Sequence, residues 1–207
     1  MEESVFGRLM AFTIVMIAMA ALIVRAQLSA PDHGGDVGLA MWELMRYFTI
    51  LTNALVAIFL AFHLLHEPQS ASRLAGVTLA IGIVGVVYHL LLANLNDLVG
   101  IEILVDHALH TIVPLMMFLW WAGFAPKTPL SPLSPIRWIL WPVWYAVYAV
   151  LRGMMDGQYP YFFLNLDELG WEGLGLSIAQ FLVAFLIAGY ALYAVAVLLR
   201  RYSDNPG

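Results

Sequence analysis

Six long apolar runs constrain the fold of this 207-residue chain more than any other feature of its sequence. Each run has about 18 residues or more, which is the length an α-helix needs to cross the hydrocarbon core of a bilayer. The runs occupy residues 4–28, 41–66, 73–95, 103–125, 136–153 and 174–200. They lack the alternating polarity of membrane β-strands, and in lipid each segment must satisfy its own backbone hydrogen bonds. We therefore expect an all-α integral membrane protein, with residues 1–207 forming a single six-transmembrane-helix bundle.

Composition narrows the chemistry that such a bundle can perform. Hydrophobic residues make up 62% of the chain and charged residues only 11%, and the short connections leave no room for a soluble domain. The chain has no cysteine, which excludes disulfides, thiolate nucleophiles and cysteine-bound metals. No basic patch indicates nucleic-acid binding, and no pair of histidines suits haem, so we expect no cofactor. The expected partners are the membrane and a lipid substrate, whereas the oligomeric state stays open.

The basic residues predict how the bundle is oriented. With six spans, both termini share a side with the second and fourth connections. That side holds six of the nine basic residues, namely Arg8, Arg73, Lys127, Arg137, Arg200 and Arg201. The positive-inside rule therefore predicts that both termini are cytoplasmic. Five tryptophans near the ends of the fourth and fifth runs are expected to be interfacial anchors: Trp120, Trp121, Trp138, Trp141 and Trp144.

Polar residues recur near the outer ends of four runs. Because helix positions three and four apart share a face, Arg46, Thr49 and Asn53 should form one stripe on the second run. On the fourth run, Asp106 and His110 should share a face in the same way.

The remaining candidates are a histidine beside that face and polar groups on two other runs: His107, His89, Tyr148 and Arg152. Tyr148 and Arg152 belong to a stripe with Tyr145 at i, i+3 and i+7. Together these groups predict a pocket in the outer leaflet that lipid can reach. A buried intramembrane histidine or arginine is costly, which favours a function for His110.

Several of these residues have a simpler structural interpretation. A threonine in a membrane helix most often bonds its own i−4 carbonyl, and Asn53 could simply join two helices. Arg46 and Arg152 could snorkel to the interface or hold an anionic substrate group. His63 and His66 are expected at the opposite interface, and the loop with Asp156, Tyr159 and Pro160 either forms a turn or partly covers the pocket.

Three other chemistries are less well matched by the sequence. Gly175-Leu176-Ser177-Ile178-Ala179 resembles a serine-hydrolase motif, but that motif needs a strand-to-helix turn. A metal-dependent hydrolase could use His89, His107, His110 and Asp106, although their spacing is not a recognised metal motif. A non-enzymatic lipid transporter or receptor is also open, but no broken helix or repeat of the transporter kind is evident.

Three short segments carry a resemblance to a known family. They are Tyr47-Phe48-Thr49, Asp106-His107-Ala108-Leu109-His110-Thr111-Ile112-Val113-Pro114 and Tyr159-Pro160-Tyr161. Together with the layout of six spans, these segments resemble those of the androgen-induced and androgen-dependent membrane hydrolases. The resemblance implies a threonine hydrolase that cleaves fatty acid esters of hydroxy fatty acids, with Thr49 as nucleophile and His110 as the essential histidine. Arg46 stands where lysine is usual, and the loop over residues 159–170 is more like that of prokaryotic relatives, which suggests a bacterial cytoplasmic membrane.

We therefore expect a membrane-embedded lipid ester hydrolase. Thr49 attacks the acyl carbonyl and His110 takes its proton, because a hydroxyl is a poor nucleophile without an adjacent base. Asn53 or His89 should stabilise the oxyanion, and Asp106 should orient an imidazole. Arg46 or Arg152 should bind a free carboxylate of the substrate.

Overall fold

Every regular element in the described part of the chain is helical. The computed structural model describes residues 4–65, 69–94 and 97–204. The predicted all-α class is therefore confirmed for these residues. His66 and Leu95, where two of the predicted spans end, lie outside them.

Five helical stretches are long and apolar enough to cross a membrane. They are Val5–His33, Phe48–Leu65, Ala71–Leu92, Ile101–Phe124 and Leu166–Ser203. They correspond to five of the six predicted spans. The remaining one matches a helix of 17 residues, Leu140–Asp156, which is shorter than any of the five.

The helices begin where polar side chains can satisfy the free backbone amides. Helix α1 (Val5–Ser29) is capped by Ser4 Oγ, which accepts from Gly7 N at 3.1 Å. Helix α2 (Val37–Leu44) is capped by Asp36, and α4 (Ala71–Val87) by Ser70. The rest are α3 (Phe48–Leu65), α5 (Ile101–His107), α6 (Val113–Phe124), α7 (Ser134–Trp138), α8 (Leu140–Asp156) and α9 (Leu166–Asp204).

The predicted second span is wrong at its N-terminal end. The sequence suggests one helix from residue 41 to 66, but the structure breaks it between α2 and α3 at residues 45–47. Arg46 therefore lies in a turn, and its stripe with Thr49 and Asn53 on a continuous helix does not exist. The apolar pattern does not reveal the break, because the residues that stabilise it are far away in the sequence. Side chains of α8 donate hydrogen bonds to the carbonyls that the break leaves free.

Proline accounts for a second break. Pro142 cannot donate a backbone hydrogen bond, and its ring clashes with the carbonyl four residues earlier, which belongs to Trp138. Helix α7 ends at Trp138 and α8 begins at Leu140, so the predicted fifth span is two helices. Helix α9 also bends near its start, at Gly170, whose φ of 63° favours glycine.

Two π-helical turns lie side by side at one end of the bundle. One, Tyr88–Leu92, follows α4, and the other, Ala108–Ile112, joins α5 to α6. Pro114 follows the second turn and leaves the carbonyl of His110 without its usual i+4 donor. Such π-turns are frequent at functional sites because they redirect side chains within a helix.

The main core lies toward the other end, between α1, α3, α4 and α6. Trp120 is fully buried there, and its Nε1 donates to Gly7 O at 3.0 Å. Trp121 and Trp138 are buried as well, so these three tryptophans are core residues rather than the expected interfacial anchors. Trp144 is exposed, as an anchor would be. His63, which was expected at the interface, is buried against Trp120.

Candidate functional site

Thr49 and His110 are in contact. Thr49 lies in the first turn of α3, His110 lies in the second π-turn, and Thr49 Oγ1 is 3.2 Å from His110 Nε2. Thr49 does not follow the common pattern of bonding its own i−4 carbonyl. That carbonyl belongs to Met45 and accepts from the Tyr148 hydroxyl at 3.3 Å. The side chain of Thr49 is thus directed to the imidazole.

Asp106 completes a chain of three polar groups. His110 Nδ1 lies 3.0 Å from Asp106 Oδ1 and 3.0 Å from the Asp106 backbone carbonyl oxygen. Both oxygens accept hydrogen bonds, so Nδ1 must carry the imidazole proton. His110 Nε2 is then the unprotonated nitrogen that can accept a proton from Thr49 Oγ1. This is the tautomer a general base needs.

Tyr88 holds the imidazole from the neighbouring π-turn. Its ring stacks on His110 with centroids 4.0 Å apart and 16° between the planes, and its hydroxyl faces Asp106. The sequence pattern favoured its neighbour His89 instead. Tyr88 could have been found only by knowing that the helix changes to a π-turn at this position.

His89 and His107 do not join this site. Both are exposed: His89 Nε2 bonds Thr111 Oγ1 at 2.9 Å, and His107 Nδ1 bonds Ile103 O at 2.9 Å. Within the described ranges, no three histidines or carboxylates are grouped so that they could hold a metal ion. The ligand set suggested for a metal-dependent hydrolase is therefore not assembled.

Asn53 joins helices rather than facing a substrate. It is fully buried, and its Nδ2 donates to Thr49 O at 2.9 Å and to Leu109 O at 3.2 Å. These bonds hold the first turn of α3 against the π-turn that carries His110. Since its amide hydrogens are already used, Asn53 is not the oxyanion donor that the sequence suggested.

Other hydrogen-bond donors surround the start of α3. Tyr161, in the loop between α8 and α9, has its hydroxyl close to the Thr49 side chain and to the backbone amides of Phe48 and Thr49. Burial raises the pKa of Tyr161 to about 12, so its hydroxyl stays protonated at neutral pH. The first amides of a helix have no partner within the helix, and the positive end of its dipole lies there. Tyr161 belongs to the Tyr159-Pro160-Tyr161 segment, but the sequence alone indicated no role for it.

The arginines form a separate cluster with carboxylates. Arg46 pairs with Glu43 and with Asp156, whose Oδ2 is 3.3 Å away, and donates to Gln158 O at 2.7 Å. Arg152 lies 3.4 Å from Glu43 Oε1 and 3.6 Å from Asp156 Oδ2. We call Glu43, Arg46, Arg152 and Asp156 the arginine cluster. Its two cations and two anions balance.

The stripe on α8 supports the break between α2 and α3. Arg152 donates to Trp42 O at 2.8 Å, Tyr148 to Met45 O, and Tyr145 to Arg46 O at 2.8 Å. These are carbonyls at and just beyond the end of α2. Of the two roles that the sequence left open for Arg46, Tyr148 and Arg152, substrate binding or support, this geometry shows the supporting one.

Thr49 lies where two cavities meet. The first, of about 540 Å³, is lined by polar and apolar groups that include Arg25, Tyr88, Asp106, His110 and Tyr161. We call it the polar chamber. The second, of about 90 Å³, is lined almost wholly by apolar side chains of α3, α4, α8 and α9, and we call it the apolar pocket. Thr49 and Tyr161 line both, whereas His110 lines only the polar chamber.

Ser177 has a different role from the one its motif suggests. Its Oγ donates to Phe163 O at 2.6 Å, which fixes the loop before α9.

Comparison with models of protein families, with characterised proteins and with solved structures found no match to this chain.

Proposed function

We propose that this protein is a membrane-embedded hydrolase of lipid esters that uses Thr49 as nucleophile and His110 as base. The observation that carries the proposal is the chain from Thr49 Oγ1 through His110 to Asp106, which opens on both cavities. A hydroxyl, an imidazole and a carboxylate in this order form the arrangement that activates serine in hydrolases. The resemblance noted in the sequence points to fatty acid esters of hydroxy fatty acids as substrates.

The reaction proceeds in two halves. Thr49 Oγ1 attacks the ester carbonyl carbon and its proton passes to His110 Nε2, while the oxyanion is stabilised by the Tyr161 hydroxyl and the first amides of α3. The intermediate collapses as His110 gives the proton to the departing alcohol, leaving an acyl-threonine. His110 then takes a proton from water, whose oxygen attacks the acyl-threonine carbonyl carbon. As the bond from that carbon to Thr49 Oγ1 breaks and the acid is released, His110 returns the proton to Thr49 Oγ1.

The proposal includes a topology of six spans with both termini in the cytoplasm. Helix α8 is the sixth span, since 17 helical residues extend about 25 Å and α7 adds length at one end. This topology puts the site in the outer leaflet, and in a bacterium the protein belongs in the cytoplasmic membrane. A single cysteine introduced at Asp167 of the cysteine-free chain should react with an impermeant maleimide in intact cells. Reaction only after lysis would reverse the topology.

Replacement of Thr49 tests the chemistry directly. Thr49→Ala should lower ester hydrolysis by a factor of about 10³ or more, because a member of such a triad has been removed. Labelling by a fluorophosphonate probe should be lost with it, and the labelled peptide of the parent protein should contain Thr49.

The matched control is Thr78→Ala. Thr78 is buried like Thr49, but its hydroxyl bonds its own i−4 carbonyl, Leu74 O, at 2.8 Å. This variant should keep activity and labelling. Full hydrolysis by Thr49→Ala would refute the proposal, and tight lipid binding with no hydrolysis by the parent protein would favour a lipid receptor or transporter.

A further inference from the structure

Arg25 differs from the other two arginines near the site. Arg46 and Arg152 have carboxylate partners, but Arg25 makes no ion pair or hydrogen bond with any residue in the described ranges. It lies on α1, is half-buried and lines the polar chamber. An arginine within a membrane helix is costly and ordinarily has an anionic partner.

The carboxylates that line the same chamber do not meet this need. Asp106 is bound to His110, and Glu102 Oε2 accepts from Val99 N at 3.4 Å at the start of α5. Asp97 is exposed. A guanidinium facing such a chamber is suited to an anion that enters with a ligand.

The position of His110 assigns the two arms of an ester to the two cavities. The departing alcohol must receive its proton from His110, which lines only the polar chamber. The alcohol arm therefore lies in the polar chamber, on the side of Arg25. The acyl arm, which is transferred to Thr49, is left with the apolar pocket formed by side chains such as Val84, Ala146 and Phe181.

From these observations we propose that Arg25 binds an anionic group, carboxylate or phosphate, on the alcohol arm of the ester, while the apolar pocket takes the acyl chain. The inference rests on the proposed function, because it assigns the arms from the chemistry of Thr49 and His110. In this proposal Arg25 selects acidic substrates, whereas the sequence suggested Arg46 or Arg152, whose charges are balanced by carboxylates.

The first experiment compares esters that differ in charge. One pair is an acyl ester of a hydroxy fatty acid and the same ester with its carboxylate converted to a primary amide. The other pair is an acyl ester of glycerol phosphate and the same ester of glycerol. Arg25→Gln should lower kcat/KM for the acidic member of one pair by about 10- to 100-fold and change the neutral member by less than about 3-fold, as expected for loss of a charge-assisted hydrogen bond. The pair that responds identifies the anion.

Two variants keep this test interpretable. Arg25→Lys retains the charge but not the planar fork, so it should keep part of the preference for the acidic ester. Arg8 lies at the opposite end of the same helix and donates to Leu64 O. Arg8→Gln should therefore leave the preference for acidic esters unchanged. Equal losses on acidic and neutral esters in both pairs would overturn the role of Arg25. Hydrolysis that survives in Thr49→Ala would instead overturn the proposed function itself.

The second experiment tests which arm enters which cavity. Ala146→Phe should fill part of the apolar pocket, so the preferred acyl chain should become shorter, while the tolerated length of the alcohol arm and the effect of Arg25→Gln stay as in the parent protein. A shorter preferred alcohol arm with unchanged acyl preference would reverse the assignment.

Discussion

The arginine cluster and the group around Thr49 are both polar, both partly or fully buried and both near the same end of the bundle, yet their hydrogen bonding differs. In the arginine cluster each charge faces an opposite charge, and even Arg152 Nε, which has no hydrogen bond, lies 3.6 Å from Asp156 Oδ2. The cluster lines neither cavity. Thr49 and His110, in contrast, bond each other at the surface of the polar chamber.

This difference separates structure from chemistry within a membrane bundle. Burial of a charged or polar group identifies it as important, but not as a substrate-binding group. The arginine cluster uses its donors on carboxylates and on carbonyls freed by the break after α2. The group around Thr49 uses its hydrogen bonds to orient an unprotonated imidazole nitrogen toward a hydroxyl. The two clusters should therefore respond in opposite ways to matched substitutions.

The largest difference is expected between two carboxylates, one from each cluster. Asp106→Asn should lower kcat by about 10²- to 10⁴-fold with little change in stability, because the neutral amide no longer favours the required tautomer or stabilises the imidazolium. Glu43→Gln should leave kcat within about 3-fold but lower the free energy of unfolding by about 1–3 kcal/mol, since Glu43 pairs with both arginines. The comparison requires kcat from activity assays and the free energy of unfolding of both variants in detergent. The opposite pattern would mean that the two clusters have been assigned the wrong way round.

A smaller contrast is expected when each cluster loses a phenolic hydroxyl. Tyr161→Phe removes a donor beside Thr49 and should lower kcat by about 10- to 100-fold, since backbone amides still stabilise the oxyanion. Tyr148→Phe removes the hydroxyl that donates to Met45 O and accepts from Arg152 Nη1, so it should reduce stability by about 1 kcal/mol and leave kcat nearly unchanged. If the Tyr161→Phe variant is fully folded and its kcat is unchanged, the Tyr161 hydroxyl has no part in the mechanism.

Sequence patterns placed Thr49 and His110 in one pocket, and the two are in contact, but these patterns did not predict the geometry around them. Apolar length predicts five helices that are long and apolar enough to cross a membrane, and i, i+4 spacing on the fourth run correctly joins Asp106 to His110. The break after Leu44 could not be read from periodicity, because the side chains that compensate for it come from residues about a hundred positions later. The roles of Tyr88 and Tyr161 also depend on tertiary structure, one on a π-turn and the other on a loop folded back over α3.

The two π-turns approach each other closely at Gly85 of α4, which has no side chain. A Cβ added to Gly85 would lie 3.1 Å from His110 O and 3.4 Å from Pro114 Cβ, whereas one added to Gly82, a turn earlier, would meet nothing within 4 Å. A displacement of a few tenths of an ångström at His110 would disturb the 3.2 Å contact with Thr49 but would not reach the arginine cluster.

Gly85→Ala should therefore lower kcat by about 3- to 10-fold, because misplacement of a reacting group by about 1 Å can cost about 100-fold. Gly82→Ala should have the parent kcat. Both substitutions raise helix propensity by up to about 1 kcal/mol, so neither should lower the unfolding temperature much. Equal kcat values for the two variants would show that the added methyl group displaces α4 or Pro114 rather than His110. The contact between Thr49 and His110 would then be no more sensitive to substitutions on α4 than the rest of the bundle.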